Sequence, residues 1–348
     1  MGSRSKAVAL RFEELEDRLL LVGTGLAPPG PTAPSLLTGP PSAAPASSDA
    51  GQVTGVTDPR IIKQGDTYYA FSSGPGIEIR ASNDLTHWRE IGQVFATVPG
   101  WALTKVPGAT SVWAPDISNS NGEYRLYYAV STYGGQRSVI GLATNTTLDP
   151  SAPGYRWVDR GEVIESSPGH TNYNAIDPNL VIDPRSGVWL AFGSQWSGIK
   201  LVRIDPATGK PPGSTPKLYS IASRPRSAPI EAPFLFKRNG YYYLFVSFDL
   251  CCMGSDSTYK VMVGRSRSIV GPYVDRDGRP MTRGGGTLVL AGDARYHGPG
   301  HNSILSQGGH DYLVYHAYDA LNNGIPTLQI RPLSWTSDGW PVVGDPLF

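Results

Sequence analysis

Cysteine is nearly absent. The 348-residue chain holds two, Cys251 and Cys252, and they are adjacent, which excludes a disulfide framework and any zinc site built from several thiolates. Neighbouring cysteines either join to each other or stay as two buried thiols, and the second state is the expectation here. An excess of one charge is lacking too: 30 Lys and Arg stand against 29 Asp and Glu, a net charge of +1. No overall field would hold nucleic acid by counterion release or draw the chain onto anionic lipid. No stretch approaches the roughly 18 to 20 uninterrupted apolar residues of a spanning helix, so no membrane span is expected. What abounds is glycine (41) and proline (31), about a fifth of the chain. Long helices cannot dominate such a sequence, and a turn-rich, all-β protein is predicted. The 18 Tyr, 8 Trp and 9 Phe exceed what a plain core needs and leave aromatics for a cleft.

Composition divides the chain. Residues 22 to 57 are a break in which 28 of 36 residues are Gly, Pro, Ala, Ser or Thr and Asp49 is the only charge. Such a segment cannot offset its ordering entropy by burial and reads as a flexible or extended linker. Ahead of it, Phe12, Leu15 and Leu19 fall on one face of a short helical pattern. The segment lacks the 7 to 15 residue apolar stretch of a signal peptide, but it resembles a short leucine- and acid-containing motif at the N-terminus of exported proteins. A secreted, periplasmic or cell-surface location is expected. The division is thus an export-like segment over 1–21, a linker over 22–51, both in a disordered extension, and a folded domain over 52–348.

The folded part repeats. Gly65-Asp66-Thr67-Tyr68-Tyr69 is echoed from Gly122, Gly187, Gly240 and Gly309, each glycine opening a run of aromatic and aliphatic residues; the spacings are 57, 65, 53 and 69. About 60 residues suit one four-stranded sheet, and 297 residues suit five. A ring of radial sheets buries each aromatic strand between neighbours, so a five-bladed β-propeller is predicted; a β-sandwich is the alternative, and it seldom needs five equivalent units.

Six to ten residues before each echoed strand lies a polar residue near a proline or glycine: Asp58, Asp116, Asp177, Glu231 and His301. In a propeller the same offset in every blade leads to one axis. Carboxylates gathered there shift each other's pKa values, which stability alone would not favour. Asp183 and Asp205, in Asp-Pro turns, are read as structural caps. Two carboxyl groups across a cleft can hydrolyse a glycosidic bond, one protonating the leaving oxygen and the other activating water. Trp101, Trp113 and Trp196 lie in loop-like sequence where they could stack on sugar rings, while at least half of the eight Trp are expected between blades.

The ordered set Asp58-Pro59-Arg60-Ile61-Ile62, Val112-Trp113-Ala114-Pro115-Asp116, Asn174-Ala175-Ile176-Asp177-Pro178, Phe192-Gly193-Ser194, Ile230-Glu231-Ala232-Pro233, Phe248-Asp249-Leu250-Cys251-Cys252 and Gly298-Pro299-Gly300-His301 resembles the arabinanases of glycoside hydrolase family 43. The resemblance covers about residues 52 to 345. It implies endo-hydrolysis of α-1,5-linked L-arabinofuranosyl chains with inversion, on arabinan or arabino-oligosaccharide. Asp58 would be the general base, Glu231 the general acid, and Asp177 the residue that orients Glu231 and raises its pKa. It further implies that Trp113, Asn174, Ser194, Gln195, Trp196 and Arg331 bind sugar and that His301 holds a largely water-coordinated calcium ion. Thr57 and Met253 depart from the family's usual His and Arg. The alternatives are an exo-acting α-L-arabinofuranosidase or β-xylosidase on the same fold, and a non-catalytic sugar-binding propeller.

Overall fold

A computed structural model of the chain describes residues 52–348; the export-like segment and the linker expected before them lie outside the described residues. Twenty strands form five antiparallel four-stranded sheets, each from consecutive strands. Blade one holds β1 (Arg60–Gln64), β2 (Thr67–Ser72), β3 (Glu78–Ser82) and β4 (Arg89–Gln93). Blade two holds β5 (Trp113–Ser120), β6 (Glu123–Ser131), β7 (Ser138–Asn145) and β8 (Val158–Ser166). Blade three holds β9 (Asn179–Asp183), β10 (Gly187–Phe192), β11 (Ile199–Ile204) and β12 (Leu218–Ala222). Blade four holds β13 (Ile230–Arg238), β14 (Tyr241–Phe248), β15 (Lys260–Ser266) and β16 (Thr287–Leu290). Blade five holds β17 (Tyr296–Gln307), β18 (His310–Asp319), β19 (Ile325–Trp335) and β20 (Pro341–Val343). The chain is a five-bladed β-propeller, as the repeat predicts.

The echoed segments are the second strands. Successive side chains of a strand point to opposite faces, which is why each echo carries two adjacent bulky residues. Tyr128 packs towards blade one and Tyr127 towards blade three; Tyr242 packs towards blade three and Tyr243 towards blade five. The core accordingly comprises five clusters, one at each blade junction. Full burial of each aliphatic or aromatic side chain there contributes about 1.5–3 kcal/mol.

Six of the eight Trp belong to these junctions or pack on them: Trp88, Trp101, Trp157, Trp189, Trp335 and Trp340. Trp101 therefore departs from the stacking role expected of it. It lies in a short helix, α1 (Gly100–Lys105), and its indole N–H is donated to Asp159 at 2.7 Å. Asp183 and Asp205 do cap turns, accepting the backbone N–H of Arg185 and Ala207 at 2.9 Å each.

Ring closure uses both ends of the described chain. Leu328 N–H is donated to Val53 O and Gly55 N–H to Pro326 O, while Gly344 and Leu347 donate to Pro332 O and Ile330 O. Both segments thus run along β19. Residues 52–57, compositionally part of the linker, are ordered: Gln52 N–H is donated to Trp88 O, and Val56 is buried among residues of blades one and five.

Candidate active site

Each first strand breaks its pleat at its channel end. There the backbone takes a positive φ at a non-glycine residue: Asp58 (53°), Ala114 (50°), Asp177 (56°), Ala232 (53°) and His301 (46°). Such a conformation costs on the order of 1–3 kcal/mol and persists only where the surroundings impose it. Pairing register shifts at the same places in β5, β13 and β17, and a shift of this kind re-aims side chains. Asp58, Asp177, Glu231 and His301 come within electrostatic reach of one another.

Asp116 does not join them. It sits two residues beyond Ala114, where Arg60 Nε approaches its Oδ1 at 3.0 Å and Leu180 N–H and Asn179 Nδ2 donate to the carboxylate. Asn179 Oδ1 in turn accepts Leu235 N–H. Asp116 thus belongs to a second ring of polar contacts that ties blades one to four, a correction to the equal offset read in the sequence.

The side chains at the ends of the second strands tie blade to blade around the reactive cluster. Ser73 Oγ accepts Ala114 N–H at 2.7 Å, Ser247 Oγ accepts His301 N–H at 2.8 Å, and His316 Nδ1 accepts Asp58 N–H at 3.0 Å. In each case one blade holds the left-handed residue of the next. Blade four differs: Ala232 N–H goes to Asp177 Oδ2 at 3.1 Å, and the hydroxyl of Ser194 is donated to Glu231 Oε2 at 2.5 Å. Gly193 N–H to Ile176 O and Gln195 N–H to Ile230 O, both 2.8 Å, clamp Ser194 between the strands that carry Asp177 and Glu231. Ser73 also donates to Asp58 Oδ2. Ser73 and Ser247 had no site role in the sequence reading, whereas His316 reads there as a supporting or loop residue; each stands seven or eight residues after the glycine that opens its echo.

The environments separate the carboxyl groups. Burial opposes the charge of Asp58, but the His301 imidazole, 3.1 Å from its Oδ1, and the Ser73 hydroxyl outweigh it and hold Asp58 well below the usual carboxylate range. Burial and then the charge of Asp177 push Glu231 up to about 8. Asp177 rises to about 6, chiefly through burial, with Asp58 adding to it against His301. Burial pulls His301 down, but Asp58 and the other two carboxyl groups carry it up to about 9. His316, whose Nδ1 is an acceptor, is kept neutral by burial, at about 4. At neutral pH the cluster therefore presents an ionised Asp58 and a protonated Glu231, a base and an acid in one site.

The other predicted sugar contacts divide. Trp113 occupies in blade two the place that Glu231 holds in blade four, one residue before the left-handed position, and donates its indole N–H to Ser111 Oγ. Gln195 and Trp196 are half-buried beside Ser194 in left-handed conformations, φ 49° and 37°. Asn174 is buried, and its amide is bonded to Ser138, Ser166 and Gly135. Arg331 is on β19, bonded to Tyr315 Oη at 2.7 Å and Gly344 O; these contacts lie within its own blade and reach none of the reactive carboxylates. The two cysteines also differ from expectation: they are bonded to each other, and neither is buried.

For the expected calcium ion the donors are sparse. Among the described residues no three or more His, Cys, Asp or Glu side chains form a metal-holding group. Hard cations prefer oxygen, so an ion beside His301 must carry most of its shell as water. The charge does fit: the negative field that retains a proton on His301 up to about 9 attracts a cation as well.

The family model for glycosyl hydrolases family 43 matches residues 53–341. An extracellular exo-α-(1→5)-L-arabinofuranosidase of Cellvibrio japonicus is 44% identical over 301 residues, covering 83% of this chain and 86% of the relative. An extracellular endo-α-(1→5)-L-arabinanase of Bacillus subtilis is 47% identical over 290 residues, covering 82% and 86%. Among solved structures, a Cellvibrio cellulosa α-L-arabinanase complexed with arabinohexaose superposes with a TM-score of 0.81 at 44% identity, covering 84% of this chain and 96% of that one.

Proposed function

This chain belongs to glycosyl hydrolases family 43, and on that footing we propose that it is a secreted arabinanase that hydrolyses α-1,5 bonds between L-arabinofuranosyl units, acting within the chain and inverting the anomeric centre. The observation that carries the reading is the opposite displacement of two carboxyl groups in one cluster, Asp58 downward and Glu231 upward. Asp58 takes a proton from water as that water attacks the anomeric carbon. Glu231 gives its proton to the departing glycosidic oxygen, and Ser194 holds Glu231 in place. Asp177 keeps Glu231 protonated and fixes Ala232 behind it. Inversion in one displacement requires acid and base to stand roughly 6.5–9.5 Å apart with water between them.

Trp113 and Trp196 are the aromatic faces left for furanose rings once the junctions have taken the other six. A calcium ion at His301 would supply a fixed positive charge beside Asp58. The relatives favour the arabinan chain as substrate, since both act on α-1,5-linked arabinose and the solved neighbour holds arabinohexaose. Their split between exo and endo action supports a second reading, release of short products from a chain end.

Incubation with linear debranched arabinan tests these points together. Internal cleavage produces a ladder of oligosaccharides from the first minutes; a single small product from the start contradicts the endo assignment. Asp58→Ala and Glu231→Ala each lower kcat by about 10²–10⁴-fold, and near-normal rates in either overturn the assigned roles. Chelator-treated enzyme loses activity that calcium restores; an unchanged rate removes the ion. Proton NMR of the first product, showing the anomer opposite to that of the substrate, checks inversion.

A further inference from the structure

The loop Asp249–Tyr259 leaves β14 after Phe248, whose neighbour Ser247 is paired with Glu231, and returns into β15. Its ends are fastened: Asp249 meets Arg224 and Lys260 at 2.7 Å each, Thr258 and Tyr259 donate their N–H groups to Leu250 O, and Met253 N–H is donated to Ser257 Oγ. Between these ties lies the bond joining Cys251 to Cys252, with Cys252 in a left-handed conformation, φ 67°. A disulfide acts on stability mainly by closing a loop of unfolded chain, and the gain shrinks as that loop shortens. Closure between neighbours is the shortest loop there is, so global stability does not account for it.

What the bond does fix is one peptide plane. The N–H of Cys252 is donated to Tyr318 Oη at 2.9 Å. Tyr318 is 3% exposed, and its ring meets the ring of His316 edge-on, 5.4 Å between centres at 80°. His316 is the residue whose Nδ1 accepts the N–H of Asp58. A continuous chain of contacts therefore runs from Cys252 through Tyr318 and His316 to the backbone of the reactive carboxylate. Tyr318 also lies within reach of that carboxylate's charge, which adds to burial in keeping its phenol protonated.

We infer that the Cys251–Cys252 disulfide is a positioning element for hydrolysis: it holds the β14–β15 loop so that Cys252 N–H secures Tyr318, which buttresses His316 and the left-handed Asp58. The inference rests on the arabinanase reading for its activity readout and stands apart from it for its structural one. A dithiol opens the bond by giving two electrons and two protons, leaving two thiols here and closing to its own disulfide.

The test compares oxidised enzyme, enzyme reduced while folded, a Cys251→Ser/Cys252→Ser double variant, and Tyr318→Phe. Mass spectrometry counts the two added hydrogens. On linear arabinan, reduction is expected to lower kcat by about tenfold or more, since small misplacements of reacting groups cost this much, with KM unchanged and Tm held within about 2 °C. The double variant matches the reduced enzyme and ignores the dithiol. Tyr318→Phe loses a similar factor, and adding it to the double variant costs little more, because both break one chain of contacts. Hydrogen exchange, independent of substrate, is expected to quicken on reduction at Cys252 and at Asp58. Unchanged kcat, additive losses, a drop in Tm that accounts for the lost activity, or unaltered exchange at Asp58 overturns the inference. Oxidised enzyme that leaves arabinan intact removes the arabinanase reading instead, and the exchange measurement still decides this one.

Discussion

At the scale of single residues, the site works by giving three carboxyl groups three environments. Asp58 touches an imidazole and a hydroxyl that both favour its charge. Glu231 has one hydroxyl and a neighbouring carboxylate, and it is half-buried among the other reactive groups, so its proton is retained to about 8. Asp177 acts on the acidity of Glu231 through its charge. Replacing it by Asn removes the negative neighbour that raises Glu231, so Glu231 releases its proton at lower pH. The alkaline limb of kcat/KM is expected to move down by about one pH unit or more in Asp177→Asn, and the residual activity measured from pH 5 to 9 checks this. An upward movement or none contradicts the assignment.

Single residues also show how far the sequence was legible. In Asp58-Pro59 and Asp177-Pro178 the carboxylate is the residue before the inner-strand proline, and that residue is the one with positive φ. In Ala114-Pro115-Asp116 and Glu231-Ala232-Pro233 the alanine holds that place. A common offset therefore misplaced Asp116, two positions too far along its strand, and left Glu231 one position short of the left-handed residue yet still at the cluster. Asn174 and Arg331 were assigned by resemblance, and their side-chain partners are tertiary facts that no spacing encodes.

At the scale of elements, the last part of the second strand and the residues just past it decide what a blade offers the channel. Ser73 and Ser194 stand just past β2 and β10, Ser247 and His316 within β14 and β18, and the hydroxyl or imidazole is used according to what the next blade presents. Gly193 enables the turn in blade three. Its φ is 128°, and a Cβ there would meet Gly198 O at 2.8 Å. Gly193→Ala must therefore strain the backbone and shift Ser194 from Glu231. A loss of about 1–3 kcal/mol in a urea titration is expected, with kcat reduced more than the fraction folded explains. Wild-type kcat in this variant would show that the turn does not position the acid.

At the scale of the whole molecule, the echo of aromatic pairs and the count of 297 residues suffice for five blades because a propeller is a sum of equivalent units. Its closure was not legible. Residues 52–57 have the composition of a linker, yet they are fixed by β19 and Trp88, partners some 270 and 36 residues away that only the closed ring brings near. The disulfide was likewise hidden, since adjacency permits either state.

The ring exists, on this account, to set an ionised Asp58 against a protonated Glu231. The most direct test is the pH dependence of kcat/KM for linear arabinan, which reports the free enzyme's essential acid and base. The predicted profile falls on the alkaline side with an apparent pKa of about 8, while Asp58 stays ionised well below the usual carboxylate range. A rate that already falls above pH 5, or one that stays level through pH 9, would mean that Glu231 is not the proton donor.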